Sequence, residues 1–208
     1  MESGEQPEDI VSSARLETFA DGVFAIAITL LVLEMRIPEP GENVARVLFG
    51  QWPSFLAYIT SFLTIGTIWT DHHRLFTVIR GTTHGFLFAN ILLLLPIAFL
   101  PYPTAVVARQ WFEGKDQVVP AMLLYGGTMA LVAISFRGVW TYASSRGLLA
   151  AEAVSSRAVR RQGELIYQLA PLIYVLGAAA SVIDPILSLV VFLGLALYWL
   201  FPARQRHG

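Results

Sequence analysis

Five runs without one acidic or basic residue, at 52–70, 85–108, 117–136, 165–183 and 185–203, constrain this chain more than any other feature. Each is about the length a helix needs to cross the hydrocarbon core of a bilayer, roughly 20 residues at 1.5 Å rise. A sixth candidate, 16–35, lies between Arg15 and Arg36 with Glu17 and Glu34 near its ends. Six spans in 208 residues leave almost nothing for a soluble domain. The composition agrees: 55% hydrophobic and 14% charged, against about 25% charged in an average soluble chain. The expectation is an all-α, polytopic membrane protein. It forms a single domain over 1–208, with spans near 16–35, 52–73, 85–108, 117–137, 164–183 and 185–203.

The basic residues orient the chain. Alternating the connections from the N-terminus gives one side Arg15, Arg74, Arg80, Arg137, Arg146, Arg157, Arg160, Arg161, Arg204 and Arg206. The other side receives Arg36, Arg46, Arg109 and Lys115. The positive-inside rule then predicts a multi-pass protein of the cell membrane with both termini cytoplasmic. The opening "MESGEQPEDIVSSA" lacks the basic region of a cleavable signal peptide, so the first span is expected to be retained. With no cysteine there is no disulfide framework and no thiolate metal site. A net charge of −1 points to no nucleic-acid partner. No cofactor is expected.

The connections are short. Residues 147–163, "GLLAAEAVSSRAVRRQG", form the longest inner one and read as a helix lying at the inner surface. In "SVIDPI", Asp184 suits an N-cap and Pro185 the first helical position. The third span ends "LLLLPIAFLPYPT", whose three prolines predict a kink and then an extended exit.

The first span raises the functional question. "DGVFAIAITLLVLE" holds twelve uncharged residues, only about 18 Å of helix, so Asp21 is drawn into the membrane. An ionisable group there is costly and faces protein or water. The second span ends "TIWTDHHRLF" and the third begins "THGFLFANILLLL". Asp21, Trp69, His73 and Asn90 therefore come from three helices at one depth and are expected to form a hydrogen-bonded belt. A metal at Asp71, His72 and His73 is not expected. Adjacent histidines on a helix point about 100° apart, and no third one follows at i+4.

On a helical wheel with Ile26 at zero, Leu33 and Arg15 fall at about −20°, Leu30 near +40°, Thr29 near −60°, Gly22 near −40° and Phe19 near +20°. Asp21 falls about 140° away. One face thus carries Arg15 at its inner end and then an apolar stripe. Periodicity alone leaves open whether this stripe packs, meets lipid or lines something.

"RLETFADGVFAIAITLLVLEM" resembles the Arg-x-x-x-Phe-Ser-Asp signature of the transmembrane protein 175 potassium channels. Arg15, Phe19 and Asp21 match; Ala20 stands where the family usually has serine. "SFLTIGTIWTDHHRLF" and "NILLLLPIAFLPYPT" resemble that family's second and third helices. The resemblance implies a homotetramer in which four first helices surround a pore. It places the constriction on Ile26, further apolar rings on Leu30 and Leu33, and a polar lining position on Thr29. It assigns Arg15, Phe19, Asp21, Trp69, His73 and Asn90 to the structural network. Potassium ions are the implied permeant species and the lipid bilayer the environment. No "TVGYG" loop is present, so selectivity would come from dehydration at an apolar ring rather than from a carbonyl filter. The alternative is a secondary transporter, for which broken helices at mid-membrane and an internal repeat would speak. An intramembrane enzyme using His72 or His73 with Asp71 lacks a nucleophile motif, and a scaffold without flux is the structural alternative.

Overall fold

The computed structural model of the chain describes residues 12–150 and 165–200. Eight α-helices run through them: α1 (Ala14–Leu30), α2 (Val44–Gly50), α3 (Trp52–Val78), α4 (His84–Phe99), α5 (Pro101–Gln110), α6 (Lys115–Ser145), α7 (Leu165–Ala179) and α8 (Pro185–Leu200). One 3₁₀ turn, Leu31–Glu34, extends α1, and another, Ala180–Val182, extends α7. The described residues hold no strand, only an isolated bridge between Ile79 and Leu149. Three segments are long and apolar enough to cross a membrane: Ala14–Leu33, His84–Gln110 and Lys115–Ser145. Gln168–Val182 and Pro185–Leu200 are shorter apolar helices.

Local chemistry sets the ends. Asn43 accepts from the Arg46 amide at 3.0 Å to cap α2, and Thr83 caps α4. Asp184 accepts from the Ile186 amide at 2.9 Å, with Pro185 opening α8 as its N1 residue. The proline-rich exit differs from its sequence expectation. The helix breaks at Leu100, but it resumes at once as α5 instead of running extended. Pro101 and Pro103 both lie in the first turn of α5, where amides have no intrahelical acceptor and their loss costs little. The predicted helix over 147–163 lies largely outside the described residues. At its start, Arg80 donates to the Leu148 carbonyl and Ala150 to the Val78 carbonyl, both at 2.9 Å.

The core is organised around α6, which packs on α4, α5 and α7. Its buried residues, among them Val118, Met122, Tyr125, Met129, Val132, Phe136 and Val139, recur every three or four positions. At Gly126 a Cβ would lie 2.4 Å from that of Ala178 and 2.9 Å from the Tyr174 carbonyl, so only glycine admits α7 this closely. Ser61 joins Thr104 at 2.8 Å and donates to Tyr125 at 3.1 Å, a buried hydroxyl cluster linking α3, α5 and α6. The first helix stands at the edge of this bundle, packed mainly on α3 and α4.

Candidate functional site

The position of α1 at the edge gives it two unlike faces. Leu16, Ala20, Phe24, Ala27 and Leu31 are buried, spaced four, four, three and four residues apart. The wheel centres them about 120° from Ile26. On the other side Phe19, Ile26, Leu30 and Leu33 are exposed, Ile26 by 61% and Leu33 by 73%. Arg15, Gly22 and Thr29 are exposed along the same side. The Thr29 hydroxyl donates to the Ile26 carbonyl at 2.9 Å, so its proton is satisfied within its own helix. Val23 is half-buried and packs against the core.

The four residues of the predicted belt do not form one network. They fall into two layers, each completed by a residue the depth argument did not assign. In the first, the Trp69 indole donates to the Asp21 carboxylate at 2.8 Å. The Trp69 ring stacks on His73, 6.0 Å between centroids, and His73 Nδ1 lies 3.3 Å from the Glu17 carboxylate. This layer ties α1 to α3 along the flank of α1. It is half-open: Trp69 is 41% exposed.

The second layer is closed. His72 and Asn90 are both fully buried, with His72 Nε2 3.1 Å from Asn90 Oδ1. Asn90 Nδ2 donates to the Phe86 carbonyl at 2.9 Å, which leaves Oδ1 as acceptor and assigns the proton to His72 Nε2. His72 Nδ1 has no hydrogen-bond partner. Phe24 of α1 and Phe76 of α3 pack on the imidazole at 5.4 and 4.7 Å. So His72, not His73, meets Asn90. A sequence signal for this existed. Ala57, Ser61, Ile65, His72 and Phe76 fall on one helical seam, and all are buried. The third neighbour, Asp71, pairs with Arg74 at 2.9 Å. Three consecutive side chains thus leave α3 in three directions, and no group of three metal-ligating residues gathers among the described residues.

Comparison with known proteins fixes the lineage. A family model described as "Endosomal/lysosomal potassium channel TMEM175" matches residues 15–101, from α1 into α5. A potassium channel of Chamaesiphon minutus is 38% identical over 206 residues, covering 96% of this chain and 97% of its own. The chain belongs to the TMEM175 family. A second relative, a potassium channel of Streptomyces collinus, is 36% identical over 192 residues that cover 91% of this chain and 92% of its own. A crystal structure of a lysosomal potassium-selective channel TMEM175 homolog from Chamaesiphon minutus superposes with a TM-score of 0.77 at 37% identity. It covers 90% of this chain and 95% of that one. The TMEM175 signature therefore sits here on a helix whose exposed side carries Arg15 and Phe19, whose flank carries Asp21, and whose buried side carries Ala20 at the usual serine position.

Proposed function

We propose that four copies of this chain surround a common axis with their α1 helices and form a potassium-permeable cation channel in the cell membrane. Six spans per subunit leave both termini in the cytoplasm. The narrowest ring is Ile26, followed toward the outside by Leu30 and Leu33, with the Thr29 hydroxyl oxygen between them. The observation that carries this reading is the bare stripe on α1: only 28% of its membrane window is buried within the subunit, against 50% for the windows in 84–110 and 115–145. The bacterial relatives that match over nearly the whole chain are named potassium channels, which supports the choice of ion and does not favour a secondary transporter.

A single six-helix chain cannot enclose an ion path with one helix, whereas cyclic symmetry brings that helix to an axis once per subunit. At a ring of isoleucines an ion gains no ligand for the water it sheds. Such a ring gates by dewetting and ranks ions by dehydration cost, which is lower for potassium than for sodium. Discrimination is then modest. Asp21 is no ion ligand in this scheme; through Trp69 it holds the flank of α1 against α3 while the free stripe meets the axis.

Planar-bilayer recording from purified protein tests the reading. Ile26→Asn supplies amides that replace lost water, so it is expected to raise conductance and move the reversal potential toward non-selectivity in potassium and sodium gradients. Val23→Asn, off the stripe and half-buried, is expected to change permeation less. Equal effects at the two positions, or none at Ile26, would mean that the ion path runs elsewhere.

A further inference from the structure

Far from α1, the inner half of α6 carries an arginine that its own subunit does not neutralise. Arg137 follows Lys115 by about 33 Å of helix at 1.5 Å per residue, which sets it at the far edge of a hydrocarbon core roughly 30 Å thick. It is exposed, and its guanidinium donates to the Gln168 carbonyl at 3.3 Å, a long bond to a neutral acceptor. It enters no ion pair among the described residues. An ionisable residue at membrane depth is costly and calls for a partner.

Arg137 stands in a groove of about 580 Å³ between α6 and α7. The other lining residues are Ile134, Gly138, Thr141, Tyr142 and Ser145 of α6 and Pro171 of α7, with no carboxylate among them. Ile134, Arg137, Gly138, Thr141 and Ser145 follow one another at three or four residues, so they share one face of the helix. Gly138 has open space where a Cβ would stand, which leaves room for a ligand against the helix between Arg137 and Thr141. Thr141 is exposed, and its hydroxyl can donate. Tyr142 is fixed from behind. Its hydroxyl meets that of Thr83 at 3.2 Å, and a Cβ on Gly85 would collide with it. The Arg146 guanidinium lies over the Tyr142 ring at 5.7 Å and also enters no ion pair among the described residues. Hydroxyls and two cationic groups thus gather where lipid headgroups lie. Toward the membrane centre the wall turns apolar: Ile134 is exposed, and past Pro171 the α7 surface continues in exposed Leu172 and Val175. A free anion makes no use of such a wall, whereas a phosphate carrying acyl chains does.

We propose that this groove binds the phosphate of an anionic phospholipid, with Arg137 and Arg146 on the headgroup, Thr141 donating to a phosphate oxygen, and Ile134 and Pro171 against the upper acyl chain. In the topology proposed above this end of α6 faces the cytoplasm, the leaflet whose anionic lipids give the membrane a negative surface. The groove lies within one subunit, so lipid binding does not depend on the pore. A lipid bound there bridges α6 and α7 beside the Arg137–Gln168 contact.

Native mass spectrometry of the purified protein, offered phosphatidylglycerol or phosphatidylcholine, reads lipid retention without any current, so failure of the channel reading shows up separately. Wild type is expected to retain phosphatidylglycerol over phosphatidylcholine. Arg137→Gln is expected to lower that retention about fivefold, the loss of one arginine at a charged lipid surface. Thr141→Val, which keeps the shape and removes the donor, should lower it about threefold, the loss of one hydrogen bond. Arg137→Lys should keep most of it, and Arg46→Gln, on α2, should leave it unchanged. Excess inorganic phosphate should not displace the lipid. Unchanged retention in Arg137→Gln, an equal loss in Arg46→Gln, or equal retention of the two lipids overturns the site. Displacement by inorganic phosphate overturns the lipid as its ligand and leaves a free-anion groove. The same spectra report subunit assembly; if Arg137→Gln fails to assemble, Thr141→Val still reads the groove.

Discussion

Helix α1 with its 3₁₀ extension and helix α6 are both long and apolar enough to cross a bilayer, yet they solve opposite problems. The 31 residues of α6 carry buried positions from Val118 to Ala143, with neighbours on several sides and a glycine where α7 comes closest. The first helix buries one narrow seam and leaves the rest open. In lipid there is no hydrophobic drive to bury an apolar face, so exposure alone does not call for a partner. What separates the α1 face from the exposed middle of α4 is its mixture. Gly22, Thr29 and Arg15 interrupt the apolar residues of α1, whereas exposed Phe88, Ile91, Leu92 and Leu95 on α4 form an unmixed greasy patch. The lesson is that helices of similar hydropathy carry different sequences when one packs on several sides and the other along a single seam.

The comparison breaks if the two faces of α1 respond alike to truncation. Phe24 is 1% exposed and Phe19 57%. Phe24→Ala opens a cavity against His72 and should cost about 3 kcal/mol, near the low end for such changes because the water-transfer part is reduced in lipid. Phe19→Ala should leave thermal stability near wild type. The fraction of folded oligomer surviving heating, read by fluorescence-detected size exclusion, distinguishes the two. Similar losses would put Phe19 in a packed core.

The polar layers sharpen the same contrast. His72→Ala or Asn90→Ala strands a buried partner and should cost about 1–3 kcal/mol, seen as loss of assembled protein at moderate temperature. The change should be insensitive to salt, since neither group is an exposed charge. Smaller still are changes in the half-open layer. His73→Ala or Asp21→Asn should each cost less than about 1 kcal/mol, because the His73–Glu17 pair and the Trp69 indole that donates to Asp21 are all partly open to solvent, which weakens both contacts. Ion preference should stay as in wild type. A tetramer of normal stability with altered selectivity in Asp21→Asn would place Asp21 in the ion path and end its role as an anchor.

Much of α1 was legible in the sequence because a helix has one period and the chain supplies one charge that must be hidden. The order Arg15, Phe19, Asp21, Ile26, Leu33 fixes which residues share a face before any fold is known. The belt was legible only in depth. Depth follows from rise per residue, but partners depend on azimuth, and the adjacent His72 and His73 differ by about 100°. Asn90 and Asp21 share that depth yet meet different sides of α3, which single-helix reasoning does not reveal. Seam analysis of α3 would have separated them, since Ala57, Ser61 and Ile65 lead to His72 and not to His73. The helical α5 was hidden for another reason. Pro101 and Pro103 read as breakers unless the preceding break is known, and only the stop at Leu100 turns them into first-turn residues.

The central claim is that the exposed stripe of α1, and not the exposed patch of α4, lines the ion path. The chain has no cysteine, so one can be placed at each position in turn. The decisive measurement is modification of Ile26→Cys and Leu95→Cys by a small water-borne cationic thiol reagent during bilayer recording. Both side chains are well exposed in the single subunit, 61% and 68%, so exposure alone predicts no difference. A water path along α1 predicts that the reagent reacts at position 26 and blocks the current, while position 95, facing lipid, stays unmodified and the current unchanged. Block through Leu95→Cys with none through Ile26→Cys would contradict the account.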